Sequence, residues 1–388
     1  MSFRKRNAVI SSSTSSQSTP SRTENAPVPG VRPSPLDGRP TTSTGTASLD
    51  SLLAGHAGLP LGTSLLIGEH GTTDFAGVLL RYYAAEGMVN GHQIHVLGLH
   101  EAWRHELPGL STDDKKSSSK SEAPSDDKMK IAWRYESLAS GSTSRDRNAI
   151  QRQPSLTTGT ASIFCHSFDL TKRLSPTDVK GQIGFHPSMS IPNLSKTRDA
   201  LSPFKKFVKD VAYKLANSPP SWIHRVIVPG LLTPTGYSGS SARPEEVLQF
   251  LHALRALLRQ YPTRLTVIIT LPLSLYPRNT GLTRWMELLC DGVFELIPLQ
   301  SSSIHAPPPS SKSDSKPDEQ TQGLVKVHSL PIFHEKGGGS SESNSAHGDL
   351  SFSLSRSKGL VIKPFYLPPV GEDKEEKKKE SSKESMEF

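Results

Sequence analysis

The chain has 388 residues, of which 34% are hydrophobic and 21% are charged, and its formal net charge is +8. No apolar run approaches the roughly 20 residues needed to span a bilayer, so we expect no transmembrane segment. The two cysteines, Cys165 and Cys290, are too few and too far apart for a disulfide framework and fit a reducing compartment. The positive charge allows an acidic partner such as RNA without proving one.

Ser, Pro and Lys are concentrated in blocks that carry too little apolar surface to offset the entropy lost on ordering them. We therefore predict one folded domain at residues 32–370, between a disordered tail at 1–31 and a charged tail at 371–388. The first tail overlaps a mitochondrial transit peptide in composition, but its basic residues are clustered, which favours a disordered tail. Disordered insertions are predicted at about 111–129, 139–160, 301–321 and 335–350.

The folded part begins with a short predicted helix, Leu49 to Ala54, for which Ser48 is the expected N-cap. A spaced pattern, T-G-x-x-x-L-D-x-L-L-x-G-x-x-x-L-x-x-G-x-x-x-x-I-G, runs from Thr44 to Gly68. It resembles the segment that leads into the first strand of a RecA-like ATPase core. The resemblance implies an α/β fold with a phosphate loop directly after that strand.

A short apolar strand, Ser64 to Ile67, is followed by a glycine turn and by a helix from about Phe75, which is the architecture of a phosphate loop, G-x-x-x-x-G-K-[ST]. Thr73 stands where the second glycine belongs, Asp74 replaces the lysine, and Phe75 replaces the magnesium-binding hydroxyl. We therefore predict a degenerate phosphate loop, with Asp74 as a structural carboxylate at the helix start. An ordinary βα turn is the alternative. The loop residues are Gly68, Gly71, Thr72, Thr73 and Asp74.

Alternating strands and helices continue through the chain and predict an α/β domain. The resemblance of the spaced pattern implies that this domain has a RecA-like P-loop NTPase core. Pro229 and Gly230 follow the strand that would end in a magnesium-binding acid in such a core, so that acid is missing as well. The predicted elements are the strands Gln93–Leu99, Lys130–Glu136, Trp222–Val228, Leu265–Leu271, Asp291–Ile297, Gly323–Phe333 and Lys358–Leu367, and the helices Asp199–Leu215, Pro244–Gln260 and Thr283–Cys290.

No catalytic or metal-binding set is predicted. The segment His100–His105 is one residue longer than the H-E-x-x-H zinc motif, so its two rings would not stack at i and i+4. His92 and His95, three apart near a strand start, should point to opposite faces.

Several sequence blocks resemble the fourth-subunit family of the Elongator complex. These blocks are Arg32–Arg39, Thr41–Thr46, Leu65–Phe75, Arg81–Gly87, Glu106–Gly109, Ile131–Tyr135 and Phe164–Leu174. The resemblance implies assembly with the fifth and sixth subunits into a ring of six that binds tRNA during wobble-uridine modification, in the cytoplasm and nucleus. It also implies that the catalytic centre lies in another Elongator subcomplex and that this chain needs no cofactor, with ATP at a shared subunit interface left open.

In RecA-like rings, the loops after the third and fourth core strands meet nucleic acid. The candidate RNA-binding residues by that position are Tyr237, Arg243, Tyr276, Arg278 and Arg284. Each loop pairs an aromatic residue with a cation, which can stack a base and neutralise a phosphate. The alternative for these loops is that they carry ordinary surface arginines. The alternatives for the function of the chain are a stand-alone RecA-like ATPase with an atypical loop and a scaffold without RNA contact.

Overall fold

The computed structural model describes residues 28–53, 55–111, 163–188, 202–299, 321–331, 350–356 and 359–365. The predicted strand Lys130–Glu136, the tail at 371–388 and nearly all of the other predicted disordered segments lie outside these ranges. Among the described helices, none combines the length and apolar character needed to cross a membrane.

The described chain forms fourteen strands and five α-helices. The strands are β1 Val31–Pro33, β2 Pro40–Thr42, β3 Leu59–Pro60, β4 Ser64–Glu69, β5 Gln93–Leu97, β6 Pro108–Leu110, β7 Phe168–Arg173, β8 Gln182–His186, β9 His224–Val228, β10 Leu265–Pro272, β11 Gly292–Pro298, β12 Gly323–Ser329, β13 Leu350–Ser355 and β14 Gly359–Pro364. The helices are α1 Ala47–Leu52, α2 Phe75–Asn90, α3 Pro203–Asn217, α4 Pro244–Gln260 and α5 Gly281–Leu289, with short 3-10 turns at Glu101–Glu106 and Pro176–Asp178.

Nine strands form one sheet in the order β14-β13-β12-β11-β4-β10-β9-β5-β8. The six strands from β11 to β8 are parallel, whereas β12, β13 and β14 continue the sheet in antiparallel fashion. The connection leaving β4 runs towards β5, and the connection leaving β11 runs the other way, towards β12. The carboxyl ends of β4 and β11 therefore flank the switch point, where open α/β sheets bind their ligands.

The two faces of the sheet are covered by different helices, which explains why the central strands are apolar throughout. Leu65 and Ile67 of β4 pack in the cluster that contains α2, while Leu66 between them packs in the cluster that contains α3, α4 and α5. This alternation is the two-residue period of a strand. Helix α2 is buried on most of its surface, because β6 and β14 also contact it.

Arg225 of β9 is fully buried and joins three layers of the fold. Its guanidinium donates hydrogen bonds to the Tyr83 carbonyl oxygen at 2.9 Å, to Thr42 Oγ1 at 2.7 Å and to His92 Nδ1 at 2.9 Å. Burial lowers the pKa of Arg225, and the charges of nearby buried acids oppose that change. The residue therefore ties β2, α2 and the start of β5 to the middle of the sheet.

The structure differs from the predicted secondary structure in several details, and the short strands β1, β2, β3, β6, β7 and β8 were not predicted. Thr46, not Ser48, is the N-cap residue of α1, and Ser48 Oγ instead accepts a hydrogen bond from the Ile362 backbone N–H at 3.1 Å. Strand β13 begins at Leu350, the last residue of a predicted insertion, and it was missed although its apolar residues alternate with serines. Strand β1 begins at Val31, the last residue of the predicted tail.

Candidate functional site

The loop between β4 and α2 lies at the switch point, and the carboxylate of Glu69 fills its centre. Glu69 Oε1 accepts hydrogen bonds from the Phe75 N–H at 2.9 Å and from Thr73 Oγ1 at 2.7 Å, and Oε2 accepts one from the Ala76 N–H at 2.9 Å. The first backbone N–H groups of a helix have no partner within the helix and form a ready site for a phosphate or another anion. Here the anion is supplied by the chain itself.

Glu69 is only 7% exposed, so its carboxylate is held away from water. Burial raises its pKa, while the three hydrogen bonds act in the opposite direction and the nearby charge of Asp74 adds to the rise. The donors at the α2 N-terminus thus compensate a carboxylate that would otherwise be costly to bury. Sequence reasoning missed Glu69 because it occupies a variable position of the phosphate-loop motif.

The remaining loop backbone is tied to the neighbouring strands. Ser274, in the loop after β10, accepts a hydrogen bond from the Gly71 N–H at 2.8 Å and donates one to the Gly71 carbonyl oxygen at 3.3 Å. The His70 N–H donates to the Leu296 carbonyl oxygen at 3.1 Å. Gly71 has a φ of +80°, which favours glycine at this turn. The backbone of the loop is therefore hydrogen-bonded to the segment after β10 on one side and to β11 on the other.

Asp74 occupies the N-cap position of α2, as its place in the sequence suggests, but its side chain makes no capping hydrogen bond. It instead forms an ion pair with Arg81, with 3.2 Å between Oδ2 and the guanidinium, and the carboxylate is 70% exposed. We predicted Asp74 as the structural carboxylate at the helix start. The carboxylate that accepts hydrogen bonds from the first N–H groups of α2 is instead that of Glu69. Thr72, also in the predicted loop set, is exposed.

A charged cluster lies next to the loop, around the carboxylate of Glu295 in β11. Glu295 Oε1 is 2.6 Å from His70 Nε2, Oε2 is 2.6 Å from His328 Nε2, and the guanidinium of Arg278 is 3.6 Å away. Burial acts to raise the pKa of Glu295, but the hydrogen bonds from His328 and His70, with the charges of His328 and Arg278, hold it below its usual value. The cluster joins β11, β12 and the loops after β4 and β10.

The two predicted RNA-binding aromatics are not free surface rings. Tyr237 is 5% exposed, packs against Phe204 with ring centroids 5.8 Å apart, and burial raises its pKa. Tyr276 is half-buried, and its hydroxyl donates a hydrogen bond to the Leu232 carbonyl oxygen at 3.2 Å. The prediction that a base stacks on Tyr237 is therefore wrong, because the ring of Tyr237 is part of the core.

The three predicted cations differ in availability. Arg278 donates two hydrogen bonds to the carboxylate of Glu287, which raises the pKa of Arg278 further. Arg284 is 63% exposed and also donates to Glu287, at 2.9 Å, whereas Arg243 is exposed at the N-cap of α4. The structure thus leaves Arg243 and Arg284 at the surface and engages Arg278 internally.

The histidines near the start of β5 point to opposite faces, as expected. His92 Nε2 is 2.9 Å from the Pro29 carbonyl oxygen, while His95 Nε2 is 3.0 Å from Nδ1 of His224, in the neighbouring strand β9. Within the residues that the structure describes, no group of three or more His, Cys, Asp or Glu side chains is placed to hold a metal ion.

The strand order and the loop after β4 define a RecA-like α/β protein whose phosphate position is filled by its own carboxylate. The profile of the PAXNEB protein family matches residues 24–388. Elongator complex protein 4 of Schizosaccharomyces pombe is 30% identical over 365 residues, which cover 90% of this chain and 91% of that protein. The Saccharomyces cerevisiae protein of that name is 30% identical over 79% of this chain and 70% of its own length. The human protein of that name is 29% identical over 88% of this chain and 80% of its own length. The chain therefore belongs to the PAXNEB family and to the family of Elongator complex protein 4, which confirms the resemblance drawn from the sequence.

A KaiC-like protein from Pyrococcus horikoshii aligns with 84% of this chain and 99% of its own, at 14% identity and a TM-score of 0.37. At that TM-score the alignment adds no support, so the fold class rests on the strand order and on the loop after β4.

Proposed function

We propose that this chain is a non-catalytic subunit of the Elongator complex, which assembles with the fifth and sixth subunits into a ring of six that binds tRNA for wobble-uridine modification. The name shared by its relatives supports membership of that complex. The carboxylate of Glu69 in the anion position of α2 is the observation that carries the non-catalytic role. The ring, the tRNA, the catalytic subcomplex as a partner, and a cytoplasmic and nuclear location are inferred from the family.

Phosphate chemistry at α2 would require the displacement of Glu69. A phosphate about 4 Å from a carboxylate is repelled by roughly 4 kcal/mol per pair of unit charges at an effective dielectric of about 20. Asp74 adds a second carboxylate where a lysine is needed. These charges argue against ATP binding at this loop of the isolated chain.

Exposed apolar side chains support the proposed assembly. Trp285 and Leu288, three residues apart on α5, are 58% and 55% exposed, and Leu275 in the preceding loop is 54% exposed. Large apolar groups at the surface, and tryptophan in particular, are typical of the centres of protein interfaces. Helix α5 is therefore the surface that we assign to a neighbouring subunit.

The proposed RNA contact depends on charge rather than on stacking. Arg243 and Arg284 provide exposed cations in the two loops predicted from the sequence. Lys206 and Lys209 on α3 provide a second exposed group, whereas Lys205 lies 3.7 Å from Glu246. Contacts of this kind bind phosphates with little sequence preference and weaken as salt rises.

The experiment is to purify the chain with its native partners, weigh the complex, and titrate tRNA at several salt concentrations. We expect a complex of six chains in which Arg243→Glu with Arg284→Glu weakens tRNA binding and flattens the slope of log affinity against log salt. Arg259→Glu, an exposed cation in the last turn of α4, is the matched control. An intact ring whose affinity and salt slope are unchanged by the double substitution would contradict the assigned contact, and a chain that purifies alone would contradict the assembly.

A further inference from the structure

A cavity of about 540 Å³ lies beside the edge strand β8, on the face of the sheet that α2 covers. Three strands, β10, β9 and β5, separate β8 from β4, so the cavity is distinct from the degenerate phosphate loop. Its volume lies within the range of about 300–1,000 Å³ that is common for small-molecule sites. The function proposed above makes no use of this cavity.

The floor of the cavity is apolar and contains an aromatic ring. Ile183 and Phe185, two residues apart on β8, point to the same face and are only half-buried. Leu107 and Met88 form the deeper part of the floor and are fully buried. A planar, weakly polar group such as a nucleobase could pack against such a floor and cover Phe185.

The rim of the cavity is mainly cationic and comes from two separate elements. Arg104 and His105 lie on the 3-10 turn after β5, and Arg173 ends β7. Arg173 donates one hydrogen bond to the Glu106 carbonyl oxygen at 3.1 Å, which directs the guanidinium towards this turn. The Glu106 carboxylate is 3.3 Å from Arg81. In the part of the chain that the structure describes, no ion pair engages Arg104, so its fork of N–H donors is available to a phosphate.

One acid, Glu101, completes the rim. Its carboxylate is exposed and can accept hydrogen bonds from hydroxyl groups, which is how acidic residues recognise a ribose in dinucleotide-binding sites. An apolar and aromatic floor, two guanidinium groups and one carboxylate together match a base, a phosphate and a ribose. We propose that this cavity binds a nucleotide, either free or as an unpaired residue of an RNA strand.

The test titrates full-length protein with AMP, and separately with a short single-stranded oligouridylate, by calorimetry. We expect saturable binding of at least one probe, weakened by about tenfold or more in Arg104→Glu, because a charge-assisted contact is replaced by repulsion. Phe185→Leu keeps the floor apolar but removes the ring and should weaken binding less. Arg259→Glu, the same charge change on α4, should leave binding unchanged. Binding of AMP alone would assign a free nucleotide, and binding of the oligonucleotide alone would assign an RNA strand.

Hydrogen exchange of the wild-type protein gives a second readout that depends on no variant. Whichever probe binds should slow exchange in peptides covering residues 101–107 and 179–186. Absence of saturable binding for both probes would overturn the proposal, as would an equal loss in Arg104→Glu and Arg259→Glu. Protection of these peptides by an acidic peptide but by neither probe would assign the cavity to a protein partner and would also overturn it.

Discussion

A single side chain, Glu69, occupies the anion position of the turn between β4 and α2. Its two carboxylate oxygens accept hydrogen bonds from the Phe75 and Ala76 N–H groups, which in a working phosphate loop would face a nucleotide. The same contacts cap α2, whose N-cap residue, Asp74, does not use its side chain for that purpose. The contact that caps α2 is therefore also the one to which we assign the exclusion of phosphate.

Replacing Glu69 with alanine should destabilise the fold and expose an anion site. The loss of a cap and of a buried acceptor predicts a decrease of about 1–3 kcal/mol in the free energy of unfolding. Inorganic phosphate should restore part of that loss, because it can accept the freed N–H donors. Urea unfolding with and without phosphate measures both effects, and Glu245→Ala, an acid in the first turn of α4, is the control. An unchanged stability, or a loss that phosphate does not reduce, would contradict this role.

The carboxylate of Glu295 should make the fold sensitive to acid. Its pKa is held below the usual value in the folded protein, so its contribution is present above the unfolded pKa of about 4.3 and is lost as pH falls through the lower, folded value. The stability difference between wild type and Glu295→Gln should therefore be largest near neutral pH and shrink below about pH 4. Thermal unfolding at a series of pH values measures this difference, and a difference independent of pH would refute the assignment.

At the scale of elements, the turn before α1 is fixed by how closely it approaches α2. Gly45 has a φ of +78°, and a Cβ at this position would lie 2.4 Å from the Tyr82 carbonyl oxygen. Asp50 of α1 closes the same turn, because its carboxylate accepts hydrogen bonds from the Thr44 N–H at 2.8 Å and from Thr44 Oγ1 at 2.7 Å. The spaced T-G-x-x-x-L-D pattern thus encodes a turn that must lie directly on a helix.

Gly45→Ala should therefore be much more destabilising than Gly55→Ala. Both glycines have positive φ, +78° and +81°, so both substitutions introduce a similar backbone strain of about 1–2 kcal/mol. A Cβ at Gly55 meets no atom within 4 Å, whereas the one at Gly45 would overlap the backbone of α2. Chemical denaturation of the two variants isolates the cost of this overlap. Equal losses would show that backbone strain alone accounts for Gly45.

Regular elements could be predicted because their signals are local. The α4 helix has the bounds expected from its apolar stripe and its first-turn proline, and β10 follows from a run of β-branched residues. The partners of single side chains could not be predicted in this way. Arg278 pairs with Glu287 across a loop and a helix start, and Tyr237 turns into the core after β9. Such contacts depend on how loops return to the sheet, which no short spacing reports.

At the scale of the whole molecule, the apolar surface of α5 should decide whether the chain assembles. Trp285→Glu places a charge at the centre of the proposed interface and should reduce co-purification of the fifth and sixth subunits by about tenfold or more. Leu36→Glu, at a side chain that is 53% exposed near the N-terminal strands, should not. Quantitative pull-down with matched melting temperatures measures the effect. Equal recovery of partners by Trp285→Glu and wild type would move the interface away from α5.

Hydrogen exchange at the start of α2, with and without Mg-ATP, tests most directly whether Glu69 excludes nucleotide from the loop. The backbone N–H groups of Phe75 and Ala76 are already bonded to Glu69, so peptides covering residues 69–80 should exchange at the same rate with and without Mg-ATP. Protection that appears in this segment and saturates with nucleotide concentration would contradict the account, because it would show a phosphate in the position assigned to Glu69.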